Sequence, residues 1–138
     1  VPGNAISGTT YSANWRIANQ GAAATLTGWQ DYLYVSSDNV LSGNDVFLGA
    51  FSHVNPLDSN GVANGSLQFT LPEGLNGTYY LIVLADALNR VLEPINESNN
   101  TVSSLINITL APYADLAVTR VTAPSQNIGD PATVLVSW

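Results

Sequence analysis

The chain contains no cysteine, no methionine and no lysine, and each absence excludes something. Without cysteine there is neither a disulfide nor a thiolate metal site. Without lysine the only cations are Arg16, Arg90 and Arg120, against ten acidic residues, for a net charge of −7. Neutralising phosphates takes clustered Lys and Arg, so no nucleic-acid partner is expected, and an anionic membrane surface is disfavoured for the same reason. Charged residues of both signs total only 9%, where ordinary globular domains carry roughly a quarter. Asn, Ser, Thr, Gln and Gly must then cover the surface, which suits an extracellular or cell-surface location. No apolar run approaches the roughly 18 residues of a membrane-spanning helix. The longest, Tyr79–Ala85, is strand-sized, so no membrane insertion is expected. With no methionine even at position 1, the chain reads as a segment of a longer protein.

What is present is 138 residues, 46% of them hydrophobic, enough for one domain with a real core. The apolar period is two. Tyr11, Ala13, Trp15 and Ile17 alternate with Ser12, Asn14, Arg16 and Ala18, the pattern of a half-buried strand. Further strands are expected at Trp29–Ser37, Asp45–Ser52, Gly65–Pro72, Gly77–Asp86, Thr101–Leu110, Asp115–Val121 and Ala132–Trp138. Turn-forming clusters such as SGND, DSNG, PEGLNG and NESNN separate them. The stretch LADALNRVLEP is short and ends at a proline, so it reads as a strand end plus a hairpin loop. Regularly spaced strands without a convincing helix predict an all-β fold, an immunoglobulin-like antiparallel β-sandwich. In such sandwiches a corner tyrosine caps a loop through its hydroxyl, a role open to Tyr79 or Tyr80, which otherwise pack on a sheet face.

Catalysis is not expected. The single histidine, His53, sits in FSHVNPLD at a strand end and reads as a surface residue. No nucleophile elbow, zinc-protease helix or Gly-rich phosphate loop is present. Acidic residues gather instead in two loops. Asp38, Asn39 and Asp45 flank a Ser-Gly turn, and Glu93 and Glu97 lie in EPINESNN. Hard oxygen donors of this kind suit calcium, although neither loop has EF-hand spacing. Turn chemistry, with Asp and Asn bonding their own backbone, accounts for the same residues. No other cofactor is implied. Trp15 is in phase with the core face, whereas Trp29, beside a glycine at a strand start, is the candidate for exposure. Trp29, Tyr32 and Asn99 would then form the ligand surface of a carbohydrate-binding module, the alternative function, with glycan as its partner. Five Asn-x-Ser/Thr sequons, at Asn64, Asn76, Asn96, Asn99 and Asn107, are also potential glycan acceptors.

Spaced motifs carry a resemblance. Asn19 and Gly21 are followed by Trp29, Asp31, Tyr34, Ser36 and Asp38, then by Asp45, Leu48 and Gly49. LPEGLNGTYYL (Leu71–Leu81) and ENN-type residues (Glu97–Asn100) complete the order. The pattern resembles the CARDB-type immunoglobulin-like domain, the cell-adhesion-related domain found in bacteria, over about Gly8 to Leu110. The resemblance implies a non-catalytic repeat of a secreted or surface-displayed adhesin, stalk or spacer.

The chain also resembles itself. When ADLAVTRVTAPSQNIGDPATVLVSW (Ala114–Trp138) is laid on the front end, Pro124 falls on Pro2, Ile128 on Ile6 and Trp138 on Trp15, with about one residue of slippage. Residues 1–112 are thus expected to be one sandwich lacking its own first strand, and residues 113–138 the first strands of the next unit. Asp115, Leu116, Val118, Arg120 and Val121 belong to a strand expected to complete a neighbouring unit. Leu116, Val118 and Arg120 lie on one face of it, Ala117, Thr119 and Val121 on the other. The expected partner is therefore a further copy of the same domain, joined head to tail as separate chains or as tandem repeats.

Overall fold

The computed structural model describes residues 3–94, 97–123, 125, 129, 131 and 133–138. Pro2, Asn96, Pro124, Ile128 and Ala132, which figure in the sequence reading, lie outside the described residues, as does the side chain of Glu97. Among the described residues the strands are β1 (Asn4–Ile6), β2 (Thr10–Ala18), β3 (Trp29–Ser36), β4 (Val46–His53), β5 (Val62–Thr70), β6 (Gly77–Leu84) and β7 (Thr101–Thr109). A single 3-10 turn, Glu97–Asn99, precedes β7, and no described helix is long and apolar enough to cross a membrane.

The strands form a five-stranded sheet, β1-β7-β6-β3-β4, and a two-stranded sheet, β2-β5. Neighbours pair antiparallel except β1, which runs parallel to β7. The fold is the expected immunoglobulin-like sandwich. Period-two burial explains its core. Leu33 and Val35 of β3, Leu81 and Val83 of β6, and Ile106 and Ile108 of β7 face Ala13, Phe69 and Leu71 from the β2-β5 side. Tyr11, Trp15 and Leu67 pack against that cluster. Burying side chains of this size contributes about 1.5–3 kcal/mol each.

One strand comes in addition to those expected, the expectation of strands in the tail is corrected, and the open role of the capping tyrosine falls to other residues. The three residues of β1, with one buried alanine, are too few to show a period, and β1 forms because Ser7 N–H and Asn107 N–H bond across to Thr109 O and Gly3 O. The strands expected at Asp115–Val121 and Ala132–Trp138 are not strands in the described residues; only an isolated antiparallel bridge joins Thr122 to Ser137. An alternating sequence still needs a neighbouring strand to take up its N–H and C=O groups, and among the described residues none lies beside this segment. The hydroxyls that cap backbone belong not to Tyr79 or Tyr80 but to Tyr11, which accepts from Ile6 N–H at 2.8 Å, and Tyr113, which accepts from Gly74 N–H at 3.1 Å. Tyr79 instead packs on the core.

Candidate functional site

Asp31 sits mid-strand on the inward face of β3 and is completely buried. Its Oδ2 accepts from the Trp15 indole at 2.7 Å and lies 2.7 Å from His53 Nε2. Its Oδ1 accepts from the Trp29 indole at 2.9 Å and from the Asp86 backbone N–H at 3.4 Å. With the histidine proton on Nε2, four donors saturate both oxygens, which is what a buried carboxylate requires. No buried side-chain polar atom among the described residues lacks a partner. Two glycines make the arrangement fit. Gly65 lies directly opposite Trp15 in the β2-β5 pair, and a Cβ there would come 2.2 Å from the indole. At Gly28, a Cβ would come 2.1 Å from His53 O, so only glycine lets β3 begin against that backbone.

This network corrects two expectations. Trp29 is 4% exposed, stacked on the His53 ring at 4.3 Å, and His53 is a core-network residue with its side chain 8% exposed. The glycine before Trp29 does not signal exposure; it admits the His53 backbone so that the ring can turn inward. Trp15 is the more accessible of the two, its edge facing a cleft while its ring meets Phe51 edge-on at 5.8 Å.

That cleft, about 670 Å³, opens between the far half of β2 (Trp15–Ala18) and the start of β7 (Thr101, Val102), with Glu93 and Asn99 on its rim. Val102 pairs with the buried Val83 and so faces the core side of the sheet, yet it is 62% exposed. Ser104, in phase with Val102 and with the fully buried Ile106, is exposed as well. The core-facing side of β7 is therefore covered at its end and bare at its start.

The residues expected to form a ligand surface are not brought together. Trp29 and Tyr32 lie on opposite faces of β3, one buried and one not. Tyr32 packs outside the sheet with Tyr34 and Phe47, at centroid distances of 6.4 and 5.0 Å. Burial there, then Tyr32 and Asp45 nearby, raises the Tyr34 pKa above its ordinary value. Asn99 sits across the cleft at the 3-10 turn. The acidic loops serve their own backbone. Asp38 Oδ1 accepts from Val40 N–H at 2.8 Å, and Asp45 Oδ2 from Ser42 N–H at 2.6 Å. Asn39 is exposed beside Asp38, and Glu93 accepts from the Asn100 side chain at 2.9 Å. Among the described residues no three of His, Asp and Glu converge as a metal cage. In the tail, Asp115, Leu116, Val118, Arg120 and Val121 are all exposed, Leu116 by 95% and Val118 by 78%.

Two solved structures share the fold. A crystal structure of a CARDB domain from Pyrococcus furiosus, in complex with di-metal ions, is similar with a TM-score of 0.58 and 15% identity, covering 80% of this chain and 87% of that one. A solution structure of the same archaeal domain gives 0.57 and 16%, covering 80% and 89%. No curated protein matches the sequence. The CARDB family model matches residues 1–104, and with that match over a sandwich of this topology the chain belongs to the cell-adhesion-related, non-enzymatic CARDB family.

Proposed function

We propose that the domain is a non-catalytic structural unit of an extracellular or cell-surface adhesin, stalk or filament, whose units join head to tail through a β-strand handed from one to the next. The observation that carries this is the tail. After β7 the chain is tied down at Ala111 and Tyr113, then presents a strand-patterned segment with Leu116 and Val118 almost fully exposed. Isolated exposed leucines are ordinary, but an unpaired alternating segment is a β-strand in search of a sheet. Sequence repetition supports the same reading, because the tail resembles the run that opens this very domain. A contact of this kind is heterologous, so it propagates as an open filament.

Metal has no part in this reading. The di-metal ions belong to the archaeal relative, and Asp38, Asp45 and Glu93 here each accept a hydrogen bond, from a turn N–H or from the Asn100 amide. A glycan-binding module built on Trp29, Tyr32 and Asn99 loses its geometry with Trp29 buried. The test is sedimentation of the full chain over a range of concentrations, with and without Leu116→Asp and Val118→Asp. The wild type is expected to associate as concentration rises and the double variant to remain monomeric. Equal association, or none in either, refutes strand exchange.

A further inference from the structure

The proposal of strand exchange leaves open which edge receives the strand, and the sandwich offers several. Among the described residues β2 pairs with β5 alone, so its other edge is open along Thr10–Ala18; β5, β4 and the three-residue β1 are also edge strands. The β2 edge borders an uncovered piece of core, and facing it the stretch Thr101–Ile106 of β7, beyond its three-residue pairing with β1, is unpaired on the same side. The first half of β7 has no strand beside it on the side where β1 pairs with its last three residues, and Val102 and Ser104 there are exposed on their core side. Across the gap stand Trp15 and Ile17, partly buried on the inner face of β2. An open backbone edge along one wall and exposed core positions along the other make a trough for an extended chain with one apolar face.

The run of the chain selects the occupant. In the sequence repeat, Asp115–Val121 precedes the counterpart of β1, and β1 runs parallel to β7. A segment arriving at β1 must therefore travel from the Thr101 end of β7 toward the Thr109 end, antiparallel to β2. The domain's own tail is held at the wrong end. Ala111 N–H bonds to Ser7 Oγ at 3.0 Å, Tyr113 Oη bonds to Gly74 N–H at 3.1 Å, and Ser7 N–H bonds to Thr109 O at 2.9 Å. From Tyr113 to Asp115 the chain spans at most about 7 Å, whereas the strand would have to begin at the Thr101 end, about 26 Å away along β7 at roughly 3.3 Å per residue.

We propose that the cleft between β2 and the first half of β7 is a strand-binding site, and that its occupant is the Asp115–Val121 segment of a second copy of this chain. The segment lies antiparallel to β2, with Leu116 and Val118 turned onto Trp15, Ile17 and Val102, and with Ala117 and Thr119 outward. This rests on the strand-exchange reading and adds the acceptor, the direction and the exclusion of the chain's own tail.

Because the chain has no cysteine, engineered disulfides report the pairing without background. Thr119→Cys is combined in the full chain with Arg16→Cys or Asn14→Cys on the outward face of β2, and in parallel with Asn64→Cys on β5 or Ser52→Cys on β4. After mild oxidation, non-reducing gels should show covalent ladders for the two β2 pairs and monomer for the β5 and β4 pairs. A covalently closed monomer from the β2 pairs overturns the second-copy occupant. Ladders from the β5 or β4 pair, or equal yields at every edge, overturn the cleft but leave strand exchange to the sedimentation test. No cross-link from any pair overturns the site, and if Leu116→Asp with Val118→Asp also changes nothing, strand exchange falls with it.

Discussion

The indole N–H of Trp15 on β2 reaches across the sandwich to Oδ2 of Asp31 on β3, 2.7 Å away. One hydrogen bond thus ties the two-stranded sheet to the five-stranded sheet, behind the Trp15 wall of the cleft. The same carboxylate holds Trp29 and His53, so a single residue in the middle of β3 organises three aromatic rings from three strands.

Removing that carboxylate leaves several buried donors without a partner. Each unsatisfied buried group costs about 1–3 kcal/mol, so Asp31→Ala is expected to lose at least about 3 kcal/mol in denaturant unfolding. His53→Gln keeps a side-chain donor near Oδ2 and should lose less. Equal losses for the two would show that Asp31 is not the hub.

The two tryptophans separate in the reverse of their sequence order of merit. Trp29→Ala empties a fully packed site and is expected to cost roughly 3–5 kcal/mol, whereas Trp15 has one edge in the cleft. Quenching of variants that each retain one indole should rank Trp138, which is 92% exposed, above Trp15, and Trp15 above Trp29. A Trp29 more quenchable than Trp15 would contradict the network.

These rankings mark where the sequence was legible. Alternation located β2 and its inward face, because burial on one side of a sheet imprints period two on the residues, and β-branched and aromatic runs bounded by turn clusters located β3 to β7. Neither signal located β1, which is too short to show a period. Together they misjudged Trp29 and His53, since their burial depends on a carboxylate two residues and twenty-two residues away respectively. A polar residue in an inward phase, Asp31 between Trp29 and Leu33, was the available signal: an acid among core positions demands donors, and a nearby Trp and His supply them. The cleft was not legible at all, because it lies between two strands far apart in sequence that belong to different sheets and are not paired with each other.

Gly65 should resist substitution although it lies in a strand, where alanine ordinarily costs nothing. An added Cβ at 2.2 Å from the indole would push Trp15 away from Asp31. Gly65→Ala is expected to destabilise by about 1–3 kcal/mol, as overpacked cores do, with a shift in Trp15 fluorescence. A neutral or stabilising Gly65→Ala would show that the indole can lie elsewhere.

Calcium provides the last expectation. A ligand that binds only the folded state stabilises it by about 2.7 kcal/mol at a hundredfold excess over Kd, worth several degrees in a domain of this size. Asp38 and Asp45 already accept short bonds from the N–H groups of Val40 and Ser42, and a cation would have to compete with those bonds without a third carboxylate to help. Melts in millimolar calcium and in chelator are therefore expected to coincide, while Asp38→Ala and Asp45→Ala each lower the midpoint slightly by releasing a turn. If calcium raises the midpoint by several degrees and either substitution abolishes the rise, the loops are a metal site and the turn bonds are secondary to it.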